Sequence, residues 1–399
     1  MRLRSAGLIT EIAQEWRESV RPDSLYSTPE WLECNESGRP NDIRYTVALT
    51  EPGGMVVHRT VAGGFPGGDP LYFLLRQELG HHPDAALLGQ ATDLRERLGP
   101  RILDGGYPMA VSALPGGYLP GLTGAIGDAG TAVFLDSLEA TAKEWECPST
   151  VMLHVPDGNS LPAALEERGY IGVVGVAQAV LRLHGNDFSD YLDTFDNRRR
   201  VRQARVLQER RAFAASGLTL RVAELGEFGA GHAALHSRQL RKYGHDVSDE
   251  WLVELIRRSA HYLGRWAHLL VAERDGSLEA FTLCYEYNGE LHFKMSGFSE
   301  YAEQNFGYFN LAYYELVEQA LSRQVGQLVY GPLSYEAKVG RGCALHPRTS
   351  YLRVPPAYRS DLAELARIVS HLNRSLFLRL EEEWGTRRQQ VNHLTSQVP

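Results

Sequence analysis

AHLLVAERDGSLEAFTLCYEYNGELHFKMSGFS, residues Ala267–Ser299, holds three runs rich in β-branched and aromatic residues. Asp275-Gly276 and Asn288-Gly289 separate them, and such dipeptides favour two-residue hairpin turns. The stretch predicts an antiparallel meander of three strands. Before it, LTLRVAEL reads as a strand, and GEFGAGHAALHSRQLRKYG and SDEWLVELIRRSAHYLG read as helices. After it come a long helix in YFNLAYYELVEQALSRQV, a strand in GQLVYGPLS, a short helix, and the strand SYLRV. SDLAELARIVSHLNRSLFLRLEEEW closes the chain as a helix.

The first half carries parts of the same order. In SLYSTPEWLECNES, Thr28 is placed to cap a helix whose first residue is Pro29. RYTVALT and MVVHRTVAGG flank a glycine turn and read as a hairpin. Residues 65–130 are rich in Gly and Pro and give no clear element. TAVFLDSLEATAKEWEC predicts a helix with Phe134, Leu135, Leu138, Ala142 and Trp145 on one face. STVMLHVPD follows as a buried strand, SLPAALEERGY as a helix ended by Gly169, and IGVVGVAQAVLRL as one or two strands.

A chain of 399 residues is long for one core and predicts two domains. With 43% hydrophobic and 23% charged residues it reads as globular. Its net charge of −8 argues against a strongly basic nucleic-acid binder, although a local basic patch can still track phosphates. No apolar run reaches membrane-spanning length, and MRLRSAGLITEIAQEW lacks the apolar segment of a secretory signal. Cys34, Cys147, Cys284 and Cys343 are scattered, so neither zinc nor a disulfide framework is expected, and a reducing cytoplasm is. P-loop, GxGxxG, HExxH and GxSxG patterns are missing, which removes the main support for kinase, dehydrogenase, metalloprotease and hydrolase readings.

Strand, two helices, three meander strands, helix, strand, short helix, strand resembles the Gcn5-related N-acetyltransferase (GNAT) fold, in two copies. The implied fold class is α/β (α+β): two tandem GNAT-like domains, each a mixed, mostly antiparallel sheet flanked by helices. Domains are expected at 1–184 and 218–399, joined by a basic helical linker over 185–217. LYSTPEWLE, DYLDTFDNRRRVRQARVLQERRAFAASGLTL and YEAKVGRGCALHP resemble segments of the FemXAB acyltransferases and their actinobacterial relatives. That resemblance implies an enzyme that forms an amide with no tightly bound cofactor. Its donor would be aminoacyl-tRNA, and its acceptor an amine on a small molecule or peptide, such as a cell-wall precursor or a natural-product intermediate. An acyl-CoA-dependent N-acetyltransferase and a non-catalytic binding module are the alternatives.

Candidate site residues follow from pattern and resemblance together. GNAT enzymes hold the coenzyme A pyrophosphate in a Gln/Arg-x-x-Gly-x-Gly/Ala turn, where backbone N–H groups favour an anion. Here Gln304 and Gly307 match as donor-binding residues, but Phe309 replaces the last small residue, and Glu300 and Glu303 stand upstream. GGYLPGLTGAIGDAG in the first copy lacks the spacing, so its glycines are expected to serve turns. In ELHFKMSGF, strict alternation would put His292, Lys294 and Ser296 in one polar row beside a cleft, or at a solvated edge. His292 is a candidate base there, and Lys294 and Ser296 are candidate substrate contacts. Lys338 and Arg341 share a helical turn and can grip an anion, with Tyr335 as a proton donor; the alternative is a basic surface turn. Cys343 is expected to be a small buried residue rather than a nucleophile. Seven arginines lie in RRRVRQARVLQERR, and a stripe of Arg198, Arg202 and Arg205 is a candidate RNA contact or else a solvated face. The resemblance adds Arg241, Lys242, His245 and Tyr285 as substrate contacts. No metal site is expected.

Overall fold

In the computed structural model, residues 1–36, 42–62, 69–77, 79, 84–158, 160–195, 198–242 and 244–384 are described. The first half runs β1 (Leu3–Ala6), α1 (Ala13–Val20), α2 (Pro29–Asn35), β2 (Ile43–Ala48), β3 (Gly54–Thr60), α3 (Tyr72–Leu75) and α4 (Ala85–Gly105). It continues with β4 (Met109–Leu114), the two-residue strands β5 (Leu119–Pro120) and β6 (Leu122–Thr123), α5 (Asp128–Glu144), β7 (Ser149–Pro156), α6 (Leu161–Glu167) and β8 (Ile171–Arg182). The second half runs α7 (Phe188–Asp193), α8 (Arg199–Ala215), β9 (Thr219–Ala223), α9 (Ala230–Lys242), α10 (Asp249–Leu263), β10 (Ala267–Arg274), β11 (Ser277–Tyr287) and β12 (Glu290–Phe298). Then come α11 (Glu300–Gln304), α12 (Gly307–Phe309), a π-helical turn (Asn310–Tyr314), α13 (Glu315–Ser322), β13 (Gln327–Gly331), α14 (Tyr335–Val339), β14 (Ala344–Arg353) and α15 (Pro356–Trp384).

Local chemistry accounts for several boundaries. Thr28 Oγ1 accepts the Trp31 N–H at 3.2 Å and caps α2, a bond worth about 1 kcal/mol. Asp275-Gly276 and Asn288-Gly289 take positive φ and close the β10–β11 and β11–β12 hairpins. Gly169, at φ +80°, ends α6. No described helix is long and apolar enough to cross a membrane.

The chain divides into two compact units, 1–178 with 346–379, and 179–345 with 380–399. This differs from the expected boundaries at 184/185 and 217/218. Most of β14 and of the closing helix α15 belongs to the first unit, where β14 pairs antiparallel with β7. The end of β8 belongs to the second unit, where it pairs antiparallel with β13. Chain order does not encode which sheet a strand joins.

Each unit is a mixed, mostly antiparallel sheet that contains a parallel pair. The first has the order β1-β2-β3-β4-β7-β14-β8, with β4 and β7 parallel. The second has the order β8-β13-β12-β11-β10-β9, with β12 and β13 parallel. In the first unit Val151 and Leu153 pack with α4 and α15 through Leu98, Ile102, Leu365 and Leu372. Met152 and Val155 face the other way, onto Phe134, Leu135 and Leu138 of α5. The second unit buries Phe213, Leu218, Phe298 and Leu311 together.

Candidate functional site

The parallel pair of the second unit comes apart along its length. β12 and β13 are paired at Glu290–Gln327, Leu291–Leu328 and His292–Val329, and the ladder ends there. Phe293–Phe298 continue beside β11 alone. Directly past the last pair β12 bulges: Phe293 pairs with Cys284 and Met295 with Leu283, so the register shifts by one residue at Lys294. Bulges re-aim side chains and leave backbone groups outside the ladder, which is why they recur beside active sites.

That bulge overturns the straight polar row expected from alternation. His292 lies opposite Tyr285 and Ser296 opposite Thr282. Tyr285 and Thr282 are three residues apart on β11, so they face opposite sides, and so do His292 and Ser296. Gly297 sits where α9 comes closest, an added Cβ falling 2.7 Å from Leu235 Cβ. His292 is buried, with Nε2 3.1 Å from Glu290 Oε2. Burial pushes the Glu290 carboxyl up, but the His292 ring and the Gln327 amide outweigh it and hold the carboxyl below its ordinary range. Tyr285 is also buried, which makes it a wall rather than an exposed contact.

Lys338 is not at the surface. Its Nζ donates to the carbonyls of Tyr330, Gly331 and Pro332 at 3.0, 3.0 and 2.7 Å. These carbonyls lie just past Val329, where β13 has lost β12, so Lys338 supplies donors that the parted ladder no longer gives. Burial pushes its amine down to about 7. The unfolded value is about 10.4, so between those values the unfolded chain binds the extra proton and stability rises with pH. Lys338→Met is expected to lose that rise and, with three acceptors stripped of a donor, about 1–3 kcal/mol besides. Its deficit against the unmodified protein in urea melts should therefore be larger at pH 9.5 than at pH 7. Parallel pH trends in the two proteins would contradict this.

Arg341 is likewise internal. Nη2 contacts Glu209 Oε1 and Oε2 at 3.0 and 2.9 Å, and the guanidinium carbon stands 3.4 Å from the centre of the Phe309 ring. Burial works against its charge, but Tyr314 and Glu209 outweigh that and raise its pKa. The Tyr314 hydroxyl donates to Glu209, Arg205 Nε donates to it at 3.1 Å, and Asn310 Nδ2 donates to its backbone carbonyl at 3.2 Å. Tyr314 borders two cavities, of about 580 and about 200 Å³; Leu207, Phe213 and Leu220 line the larger, Arg205, Glu336 and Arg341 the smaller. The sequence reading missed Glu209. Its signal was the spacing Val206, Glu209, Phe213, which puts the carboxylate on the buried stripe of α8.

The Acetyltransferase (GNAT) domain family matches residues 197–339. The crystal structure of FemX superposes with a TM-score of 0.54 at 10% identity, over 90% of this chain and 100% of that one. Residues 197–339 carry a GNAT domain, and the chain as a whole shares its fold with FemX. A tandem GNAT protein from the clavulanic acid biosynthesis pathway (TM-score 0.44, 11% identity, 88% of this chain and 98% of that one) is also similar. So is L-PGS from Bacillus licheniformis (0.43, 12%, 83% and 90%). No curated protein matches the sequence.

The segment expected as a donor turn, Gln304–Phe309, has close internal contacts. An added Cβ at Gly307 would lie 2.8 Å from the Ala302 carbonyl oxygen, so the glycine is packed against backbone. Gln304 Nε2 donates to Glu300 Oε1 at 3.3 Å, and Glu303 is held by Arg238 and by Lys242. In the first copy Gly116 and Gly124 take positive φ, in keeping with turns. Cys343 is buried and its thiol is pushed up to about 12, so it is no nucleophile. The arginine stripe is broken by Arg202, which is 3% exposed. Its three guanidinium nitrogens each donate to a carbonyl, of Gly340, Trp384 and Val339, so the fork is turned inward and away from a phosphate. Arg198 pairs with Glu383 at 3.3 Å and remains exposed, as do Arg205 and Arg241. Tyr335 opens α14 and is buried, and His245 lies past the end of α9.

Proposed function

We propose that this chain is an acyltransferase that moves an aminoacyl group from its ester on tRNA to an amine of a small molecule or peptide. The amine nitrogen attacks the ester carbonyl carbon, the carbon–oxygen bond breaks, and the tRNA ribose hydroxyl leaves with a proton. The observation that carries this reading is the parting of β12 from β13 with a bulge at Lys294 just beyond it. Such a gap offers backbone N–H groups to a carbonyl that is becoming an oxyanion. His292, beside Glu290, takes the proton of the attacking amine, and Tyr335 supplies one to the leaving oxygen. Lys294 and His245 contact the substrates.

Two features favour an aminoacyl ester over acyl-CoA. The expected donor turn has its Gly307 packed against backbone and Glu300 upstream, which opposes a pyrophosphate. Arg198, Arg199, Arg200, Arg205 and Arg211 are exposed on or next to α8 and can neutralise RNA phosphates. Arg198→Ala with Arg205→Ala is expected to weaken a native-gel shift by tRNA. The log–log salt slope should flatten by about 0.7–0.9 for each phosphate that is no longer neutralised. An unaltered slope would remove α8 from the RNA interface. The reaction itself is tested by incubating the protein with charged tRNA, or with acyl-CoA, and candidate amines, and seeking the amide by mass spectrometry. An amide from charged tRNA alone is expected. Transfer from acyl-CoA alone would overturn the donor, and no amide from either would overturn the acyl transfer.

A further inference from the structure

The first unit repeats the parting of the second with different side chains at it. β4 and β7 leave their parallel ladder at Ser112 and Met152, as β12 and β13 do at His292 and Val329. Two residues further along β13 stands Gly331 at φ +66°; two residues further along β7 stands His154 at φ +60°. Glycine takes that conformation freely, whereas a histidine meets a cost of about 1–2 kcal/mol. Strain of this kind persists where a side chain has a task. His154 is buried, its ring 6.1 Å from that of Phe73 and 5.2 Å from that of Tyr118.

Arg348 lies beside it on β14, opposite Pro156, two residues along β7 from His154. It is only partly exposed, and Nη2 donates to Oε1 of Gln178, which is 7% exposed. Four of the five guanidinium N–H groups therefore have no acceptor among the described residues, and neither has the Gln178 amide nitrogen. Asp157 acts on Arg348 from a distance and forms no ion pair with it. The two fully buried arginines among the described residues are differently supplied: Arg341 has the Glu209 carboxylate and Arg202 has three carbonyls. A guanidinium drawn from water with one neutral partner is short of an anion.

We infer that the first unit holds a site for a ligand bearing a phosphate or carboxylate group, gripped by Arg348 and the Gln178 amide beside His154. The planar fork of the guanidinium matches either oxyanion. Isothermal titration of the full chain with sodium phosphate and with sodium acetate, each against sodium chloride of equal ionic strength, tests this. Binding is read with no acyl donor present, so the result is independent of the transfer reaction. One of the two anions is expected to bind with a Kd in the millimolar range or tighter. The tighter of the two identifies a phosphorylated or a carboxylic ligand. Arg348→Lys, which keeps the charge but not the fork, should weaken that binding at least fivefold, and Arg348→Met should abolish it. No heat beyond that of chloride, or affinity unchanged in Arg348→Lys, would overturn the site. A Tm several degrees lower in Arg348→Met would make the arginine structural and overturn it as well.

Discussion

Arg341→Met is expected to cost about 3–5 kcal/mol of stability, because it strands the Glu209 carboxylate inside the second unit. Glu209 is buried and takes both of its short Arg341 contacts on one nitrogen, with Arg205 and Tyr314 as further donors. Arg205, paired with Glu209 at 3.1 Å but largely exposed, compensates only in part because water screens its charge. Urea unfolding should show the midpoint falling with an unchanged slope. Adding Glu209→Leu should recover part of the loss, since a buried pair replaced on both sides is far less costly than one cut in half. Recovery stays partial because the Tyr314 hydroxyl and the Asn310 amide are arranged around Glu209. A single-variant loss under about 1 kcal/mol would mean that the pair is solvated.

His292→Gln is expected to slow amide formation by about 10²–10⁴, the usual range for a positioned proton-transfer group. Glutamine keeps much of the volume and a hydrogen-bonding end, so the buried position stays filled. Donor binding should change little, because the imidazole acts on the acceptor's proton. Glu290→Gln tests the same step from behind. Its carboxylate, held ionised by His292 and Gln327 despite burial, orients the ring. The expected loss is smaller, about tenfold, and should fall on kcat rather than KM. Equal losses in KM for both variants would turn His292 into a binding residue.

The meander was legible because turn chemistry at Asp275-Gly276 and Asn288-Gly289 is local, and the strands between are rich in residues that suit a sheet. α4 was not legible. It lies inside a Gly- and Pro-rich region and carries Pro100 in its own interior, so local propensity argued against the helix that packing onto Leu153 and Leu365 maintains. The late strand reads as a strand from its composition, but its membership of the first unit depends on pairing with β7, nearly two hundred residues away in the chain. The site was legible as a region and not as geometry. Lys338 and Arg341 stood out as cations, yet what they bind is set by the end of a ladder and by a single glutamate within an arginine run. The His292 row failed for a related reason: a one-residue register shift at Lys294 reverses the alternation, and nothing in ELHFKMSGF announces a bulge.

The most direct test of the parted strands as the place of reaction is a single-turnover measurement with charged tRNA in excess amine, comparing the unmodified chain with His292→Gln. A rapid phase of amide formation that falls at least a hundredfold in the variant, with tRNA binding and thermal stability retained, is the predicted result. An equal rate in both proteins would place the chemistry elsewhere in the chain.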